Sequence, residues 1–346
     1  MAVRADAAPL STLEADVPFP VRTHPDREQA QASTFEWAQR MGMLTSEAAV
    51  ARFGRLRSGH LAAYVYTQVG LDELLLGADW KTWMFMIDDQ GDEGPLGRDP
   101  DRWRAAMSPM ARVLTGDIGD PEQLPPVASA LADLLERTCR GRTPEWSARL
   151  YGHTRDFLES YEAEAARRAQ HQVPEIGEYI AHRRDSGAMH VVFDVAEALV
   201  GHEVPMSLYR SREFQDLELA ASDVACWHND IRSLSKELAR DDVHNLVMVI
   251  QAGVGCSQQE AVDRAQDMAN ARMAWYVQGR RQMNHILEAS RLSAEARTHV
   301  GQVLEIYEDW MSGHHQWAQE SGRFTDIVST GPGVAPHYVE PLLGPQ

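Results

Sequence analysis

Two groups of side chains have the types and spacing to do chemistry. Residues 88 to 93 read Asp-Asp-Gln-Gly-Asp-Glu. On a helix, Asp88 and Asp92 share one face, and Asp89 and Glu93 form a second pair turned by about 100°. Like charges at this spacing destabilise a helix slightly. They become favourable when a hard cation sits between them, and Mg²⁺ takes carboxylate and phosphate oxygens readily. Taken alone the motif reads equally as a metal site or a solvated helix end. The segment before it, Trp80-Lys-Thr-Trp-Met-Phe-Met-Ile, is largely apolar, and so points to a greasy cavity beneath a polar mouth.

The second group is Asn229-Asp-Ile-Arg-Ser233-Leu-Ser-Lys236-Glu237. Asn229, Ser233 and Glu237 fall at i, i+4 and i+8, a stripe about 12 Å long on one helix face. An amide oxygen, a hydroxyl and a carboxylate are all hard donors suited to one Mg²⁺. Lys236 would place an ammonium near a bound phosphate. The competing reading is a polar surface stripe, which the apolar run Ala220, Ala221, Val224, Ala225 and Trp227 disfavours.

Elements must bring these groups together. The spacing predicts a long apolar helix over 71–92, ended by Gly94-Pro95, and a second helix carrying the stripe at 229–237. Thr45-Ser46 reads as a stop and a new cap. Thr143-Pro144-Glu145 and Val173-Pro174-Glu175 read as helix starts with Pro in the first turn. Ser257-Gln-Gln-Glu260 is a capping-box pattern. Strand-like alternation is absent or short. The expected fold is all-α: ten or more helices in a single domain over 25–330 with a central apolar cavity, after an extended segment at 1–24 and before a proline-rich tail at 331–346.

Composition excludes several functions. A formal net charge of −18 argues against nucleic acid and against an anionic membrane surface. Three cysteines without metal-ligand spacing read as reduced thiols in a cytoplasm. The first residues lack a signal-peptide core, and no apolar run approaches the ~18 residues that span a bilayer. Gly253-Val-Gly255 is too incomplete for a nucleotide loop, and His314-His315, with no spaced partner, reads as helix surface.

Asp88-Asp89-x-x-Asp92 followed by Asn229-Asp230-x-x-Ser233-x-x-Lys236-Glu237 resembles the paired motifs of bacterial class I terpene synthases, over roughly residues 20 to 330. The resemblance implies a class I terpenoid synthase α-bundle and a lyase of isoprenoid biosynthesis. It implies a prenyl diphosphate substrate, three Mg²⁺ ions with Mn²⁺ as a substitute, and a homodimer as the assembly. Asp88, Asp89, Asp92, Asn229, Ser233 and Glu237 become the metal ligands. In that family an arginine 46 positions before the Asn senses diphosphate, which gives Arg183. The linker and effector that follow it fall on Ser186 and Gly187. The family's C-terminal Arg-Tyr pair is Arg323-Phe324 here, so the arginine is kept and the hydroxyl is missing. Arg183, Lys236 and Arg323 then bind diphosphate. Phe85 and Trp317 read as cavity aromatics or as core, Met84 as cavity wall, and Trp80, Trp83 and Trp310 as core packing.

The rivals are a chain-elongating prenyltransferase on the same fold, which needs a second aspartate-rich motif, and a non-catalytic helical binding scaffold. Ten, fifteen and twenty carbons all fit the chain length. Farnesyl diphosphate and a sesquiterpene product are chosen by analogy.

Overall fold

The computed structural model describes residues 17–325 and residues 336, 339, 342 and 343. Residues 1–16 and most of the expected tail lie outside the described residues. The first helices are α1 (Arg27–Arg40), α2 (Glu47–Leu56), α3 (Ser58–Val65) and α4 (Leu71–Asp92). Then come α5 (Pro100–Thr115), α6 (Pro126–Cys139), α7 (Pro144–Gln170), α8 (Ile176–Ser186) and α9 (Met189–Val200). The chain continues through α10 (Met206–Tyr209), α11 (Arg212–Leu238), α12 (Leu246–Val254), α13 (Gln258–Ala289) and α14 (Ala294–Glu320). Among the described residues there is no strand, and no helix is long and apolar enough to cross a membrane.

Local signals set the helix ends. Ser46 Oγ accepts the Ala49 amide at the start of α2, and Thr143 caps α7 with Pro144 in its first position. Ser257 and Glu260 close the capping box of α13. Pro174 differs from expectation. It stands two residues before α8, whose cap is Glu175, so it ends the connection rather than entering the helix.

α4 is buried around nearly its whole circumference, which marks a central helix. α1, α3, α6 and α9 pack against it. Trp80 and Trp83 are fully buried, and their indole N–H groups donate to Thr138 Oγ1 at 2.8 Å and to the Val127 carbonyl at 2.9 Å on α6. Both are core residues, as expected. Burying a large apolar side chain stabilises by roughly 1.5 to 3 kcal/mol, provided its polar atom finds a partner. Buried hydroxyls of Thr34, Ser58 and Thr82 bond at 2.8 Å and pin α1 and α3 to α4. Opposite α4, the long helix α11 packs on α13 and α14. Between these two layers lies a cavity of about 1040 Å³, counting its open mouth, walled by α4, α7, α8, α9, α11 and α14.

Two peripheral segments close over this body. Arg22 reaches Asp309 on α14 at 2.9 Å. Leu342 and Leu343 of the expected surface tail are buried, and Leu342 and Val339 lie with Met43, Phe53 and Met86 behind the end of α4.

Candidate active site

The C-terminal turns of α4 deliver the acidic motif to the cavity mouth. Asp88 and Asp92 line the cavity. Tyr161 Oη on α7 donates to Asp88 Oδ1 at 3.0 Å, and Arg168 Nη2 donates to Asp92 Oδ1 at 2.7 Å. Gly91 lies between them for a steric reason: a Cβ there would stand 2.4 Å from the Tyr161 ring. Its place is explained by this close approach.

Asp89 and Glu93 point the other way. Asp89 is buried, does not line the cavity, and accepts from Arg323 Nη1 at 2.9 Å. The other Arg323 nitrogen pairs with Asp88, so one guanidinium spans both aspartates. Glu93 sits among three cations: Arg240 at 2.7 Å, Lys236 at 3.1 Å and Arg52 at 3.7 Å.

The second motif faces the first across the mouth. Asn229, Ser233, Lys236 and Glu237 all line the cavity. Asp230, fully buried on the far side of α11, organises them. It accepts from Tyr179 Oη at 2.5 Å, Arg183 Nε at 3.0 Å and the Leu246 amide at 3.2 Å. Arg183 in turn donates from Nη2 to Asn229 Oδ1 at 3.1 Å. Asn245, which caps α12, donates to Glu237 Oε2 at 2.6 Å. Arg184 lies outside this set, paired with Asp223 at 2.8 Å.

Ser186 and Gly187 stand at the break between α8 and α9, where Ala188 takes φ +55°. Both line the cavity, and among the described residues the Ser186 hydroxyl has no hydrogen-bond partner. A Cβ on Gly187 would meet Cys226 Sγ at 2.6 Å, so glycine lets α8 and α11 approach.

The carboxylates are held at an electrostatic cost. Burial, with Asp88 beside it, pushes Asp92 up to about 8. Burial, with Asp230 and Asp242 nearby, pushes Glu237 up to about 8. Burial also raises Asp89. Ionised carboxylates in a dry mouth call for more positive charge than the protein supplies. Hard oxygen donors from both helices therefore fit divalent cations such as Mg²⁺.

Below the mouth the wall turns apolar. Phe85 and Met84 line the cavity. Trp317 is fully buried behind Phe85, stacked at 5.4 Å, and its indole donates to the Leu56 and Arg57 carbonyls at 3.1 and 2.9 Å. Phe324 lines the cavity and meets Trp317 edge-on at 5.8 Å. Two readings are corrected here. Trp310 lines the cavity rather than only filling core, and His314 is a buried cavity residue, not helix surface. Both lie on the inward face of α14.

Several residues have no counterpart in the sequence reading. Arg168 bridges Asp92, Glu164 at 2.9 Å and Asp242 at 3.0 Å. Glu164, His182 and His244 bring three ligand atoms within 4.8 Å of one another, although Arg168 already holds Glu164. Lys81 lines the inner cavity. Their only sequence signals are an unremarkable basic pair at 167–168, scattered histidines and one lysine in an apolar run.

An all-helical cavity with an apolar interior, an acidic two-sided mouth and several arginines beside it defines an enzyme that handles an anionic, apolar-tailed substrate. The sequence model of terpene synthase family 2, C-terminal metal binding, matches residues 79–274. Pristinol synthase of Streptomyces pristinaespiralis is 31% identical over 90% of this chain and 84% of that protein. The (+)-T-muurolol synthase of Roseiflexus castenholzii, named as (2E,6E)-farnesyl diphosphate cyclizing, is 31% identical over 89% of this chain and 92% of that protein. The crystal structure of germacradien-4-ol synthase from Streptomyces citricolor superposes with a TM-score of 0.78 at 27% identity, covering 90% of this chain and 99% of that one. The chain belongs to terpene synthase family 2 and is a terpene synthase, a carbon–oxygen lyase acting on phosphates.

Proposed function

We propose that this terpene synthase ionises farnesyl diphosphate with Mg²⁺ at the mouth and cyclises the cation to a sesquiterpene, releasing diphosphate. The observation that carries the reading is the meeting of two oxygen-donor motifs on one cavity, with Lys236 and Glu93 joined at 3.1 Å between them. The relative named for cyclising farnesyl diphosphate supports fifteen carbons.

Asp88 and Asp92 on one side, and Asn229, Ser233 and Glu237 on the other, would hold Mg²⁺. Asp89 would act from behind by holding Arg323. When bound, Mg²⁺ supplies Lewis-acid charge to the leaving diphosphate. The protein's own cations complete that charge. Arg183, Lys236 and Arg323 each have a carboxylate partner at present. With metal and diphosphate present, Asp88 would serve the metal, and the cations, still positioned by Asp230, Glu93 and Asp89, would meet the phosphate oxygens, where preorganised charge favours departure. Ser186 and Gly187 bring backbone to the cavity at the helix break, where the allylic carbon would lie. Phe85, stacked on Trp317 and now covered by the Arg323 guanidinium 4.8 Å from its ring centre, would offer its ring to the cation once Arg323 turns to the diphosphate, an interaction of roughly 0.5 to 2 kcal/mol. The apolar wall keeps stray water from the cation. The enzyme would work in the cytoplasm.

Incubation with geranyl, farnesyl and geranylgeranyl diphosphate, with and without Mg²⁺, tests the reading. Farnesyl diphosphate should give cyclic fifteen-carbon products only with metal. Longer chains formed on adding isopentenyl diphosphate would instead indicate a prenyltransferase, and no diphosphate release would leave only a binding scaffold.

A further inference from the structure

Lys81 is an unusual group to find on the wall of a cavity that must hold a carbocation. It lies on α4 seven residues before Asp88, about 10 Å deeper along the helix. The residue is 2% exposed and lines the cavity. Its Nζ has soft, uncharged neighbours: Met84 Sδ at 3.7 Å, the Trp310 ring at 4.5 Å and the Tyr66 ring at 5.7 Å. Among the described residues no carboxylate lies within ion-pair distance of it. The buried acids elsewhere on the neighbouring helices are committed, Asp79 to Arg137 and Asp309 to Arg22 and Thr67. Burial without a counter-charge pushes the Lys81 pKa well down, which favours the neutral amine and its lone pair over the ammonium.

We propose that Lys81 is the base that ends the reaction, taking a proton from the carbon next to the final carbocation to leave an olefin. The inference rests on the terpene synthase reading above and adds a catalytic residue to it. With diphosphate held at Asp88, the prenyl chain hangs inward, so its far carbons and not the ionising carbon meet the amine. In the step, a C–H bond adjacent to the cationic carbon breaks, and its electron pair becomes the new C=C bond. The proton goes to the Nζ lone pair and forms an ammonium, which passes it to water when the cavity opens. The Trp310 face, 4.5 Å away, stabilises the ammonium as it forms. Lys81 lines the same cavity about 10 Å along α4 from Asp88, so ionisation and proton removal are kept apart. His314, stacked beside Trp310 at 6.2 Å and also lining the cavity, is the rival base at this end.

The test uses the full chain with Mg²⁺ and farnesyl diphosphate, and compares Lys81→Met, Lys81→Arg and His314→Phe with wild type. Diphosphate release and products by gas chromatography–mass spectrometry are read separately. In both Lys81 variants the main olefin should fall roughly tenfold or more, well beyond any fall in diphosphate release, with flux moving to alcohols or to olefins of earlier cations. Methionine keeps the length and the packing but has no basic lone pair, so it separates base from packing; arginine, also without a basic lone pair, adds a positive charge that the free amine lacks and stands in if the methionine variant fails to fold. A wild-type profile in Lys81→Arg overturns the proposal. So does a profile rerouted by His314→Phe alone, or a wild-type enzyme that makes only alcohols. A wild-type protein that releases no diphosphate from any prenyl diphosphate overturns the terpene synthase reading itself, a separate failure.

Discussion

Lys236 Nζ lies 3.1 Å from Glu93 Oε1, and both side chains are almost fully shielded from solvent. The residue after Asp92 and the residue before Glu237 are therefore one ion pair. This contact ties the ends of α4 and α11 together and holds near each other two oxygen-donor sets that lie about 140 residues apart in the chain.

Glu93→Gln should consequently destabilise the fold. It would leave Arg52, Lys236 and Arg240 without their shared counter-charge. Removing one partner of a buried pair costs about 3 to 5 kcal/mol. Denaturant unfolding measures this, and an unchanged midpoint would show that the pair does not hold the motifs together.

The mouth carboxylates should be needed for turnover but not for folding. Asp88→Ala and Glu237→Gln should each lower diphosphate release by about 10² to 10³, the size expected when charge stabilisation at a leaving group is lost. The melting temperature of Glu237→Gln should equal or exceed wild type, because burial already disfavours its ionised carboxylate. Chelation of metal should abolish release, and added Mg²⁺ should restore it.

Metal binding should release protons. Asp92 and Glu237 stand near 8 in the metal-free protein, above ordinary carboxylate values of 3.8 and 4.5. A raised folded value favours the fold below the ordinary value, and that advantage is lost as pH rises through about 8. Mg²⁺ needs the ionised forms, so its affinity should rise between pH 6 and pH 8. Calorimetry in buffers of different ionisation enthalpy reads this as proton release, and buffer-independent heats would contradict it.

Gly91→Ala should damage the site through Tyr161. The added methyl would press on the Tyr161 ring, which holds Asp88. Overpacking of this kind costs about 1 to 3 kcal/mol. In a Tyr161→Ala background, itself less stable and less active, the same Gly91→Ala change should cost less because the clashing ring is gone, and strict additivity of the two losses would exclude a clash.

The parts of the site that lie within one helix were legible in the sequence. Asp88 with Asp92, and Asn229 with Ser233 and Glu237, repeat at the helical period, so one turn rule places each set on a face. The turn of Asp89 away from the cavity follows from the same rule, which sets it about 100° from Asp88; only the family resemblance makes it a metal ligand. Arg168, Tyr161 and Asp242 reach the mouth from other elements, and no local period connects them to α4. His314 was read as surface because a His-His pair has no metal-ligand partner. Its spacing of four from Trp310 and three from Trp317 marks the inward face of α14. Lys81 was hidden because a lysine in an apolar run is ordinarily one that snorkels to solvent.

The central claim is that one set of cations joins both motifs over the cavity. Soaking crystals with Mn²⁺ and inorganic diphosphate, and recording the anomalous difference map, tests this directly. Peaks at the mouth beside Asp88 or Asp92 and beside Asn229, Ser233 and Glu237, with diphosphate against Arg183 and Arg323, are the predicted result. Strong density confined to Glu164, His182 and His244 or to the protein surface, with none at the mouth, would contradict it.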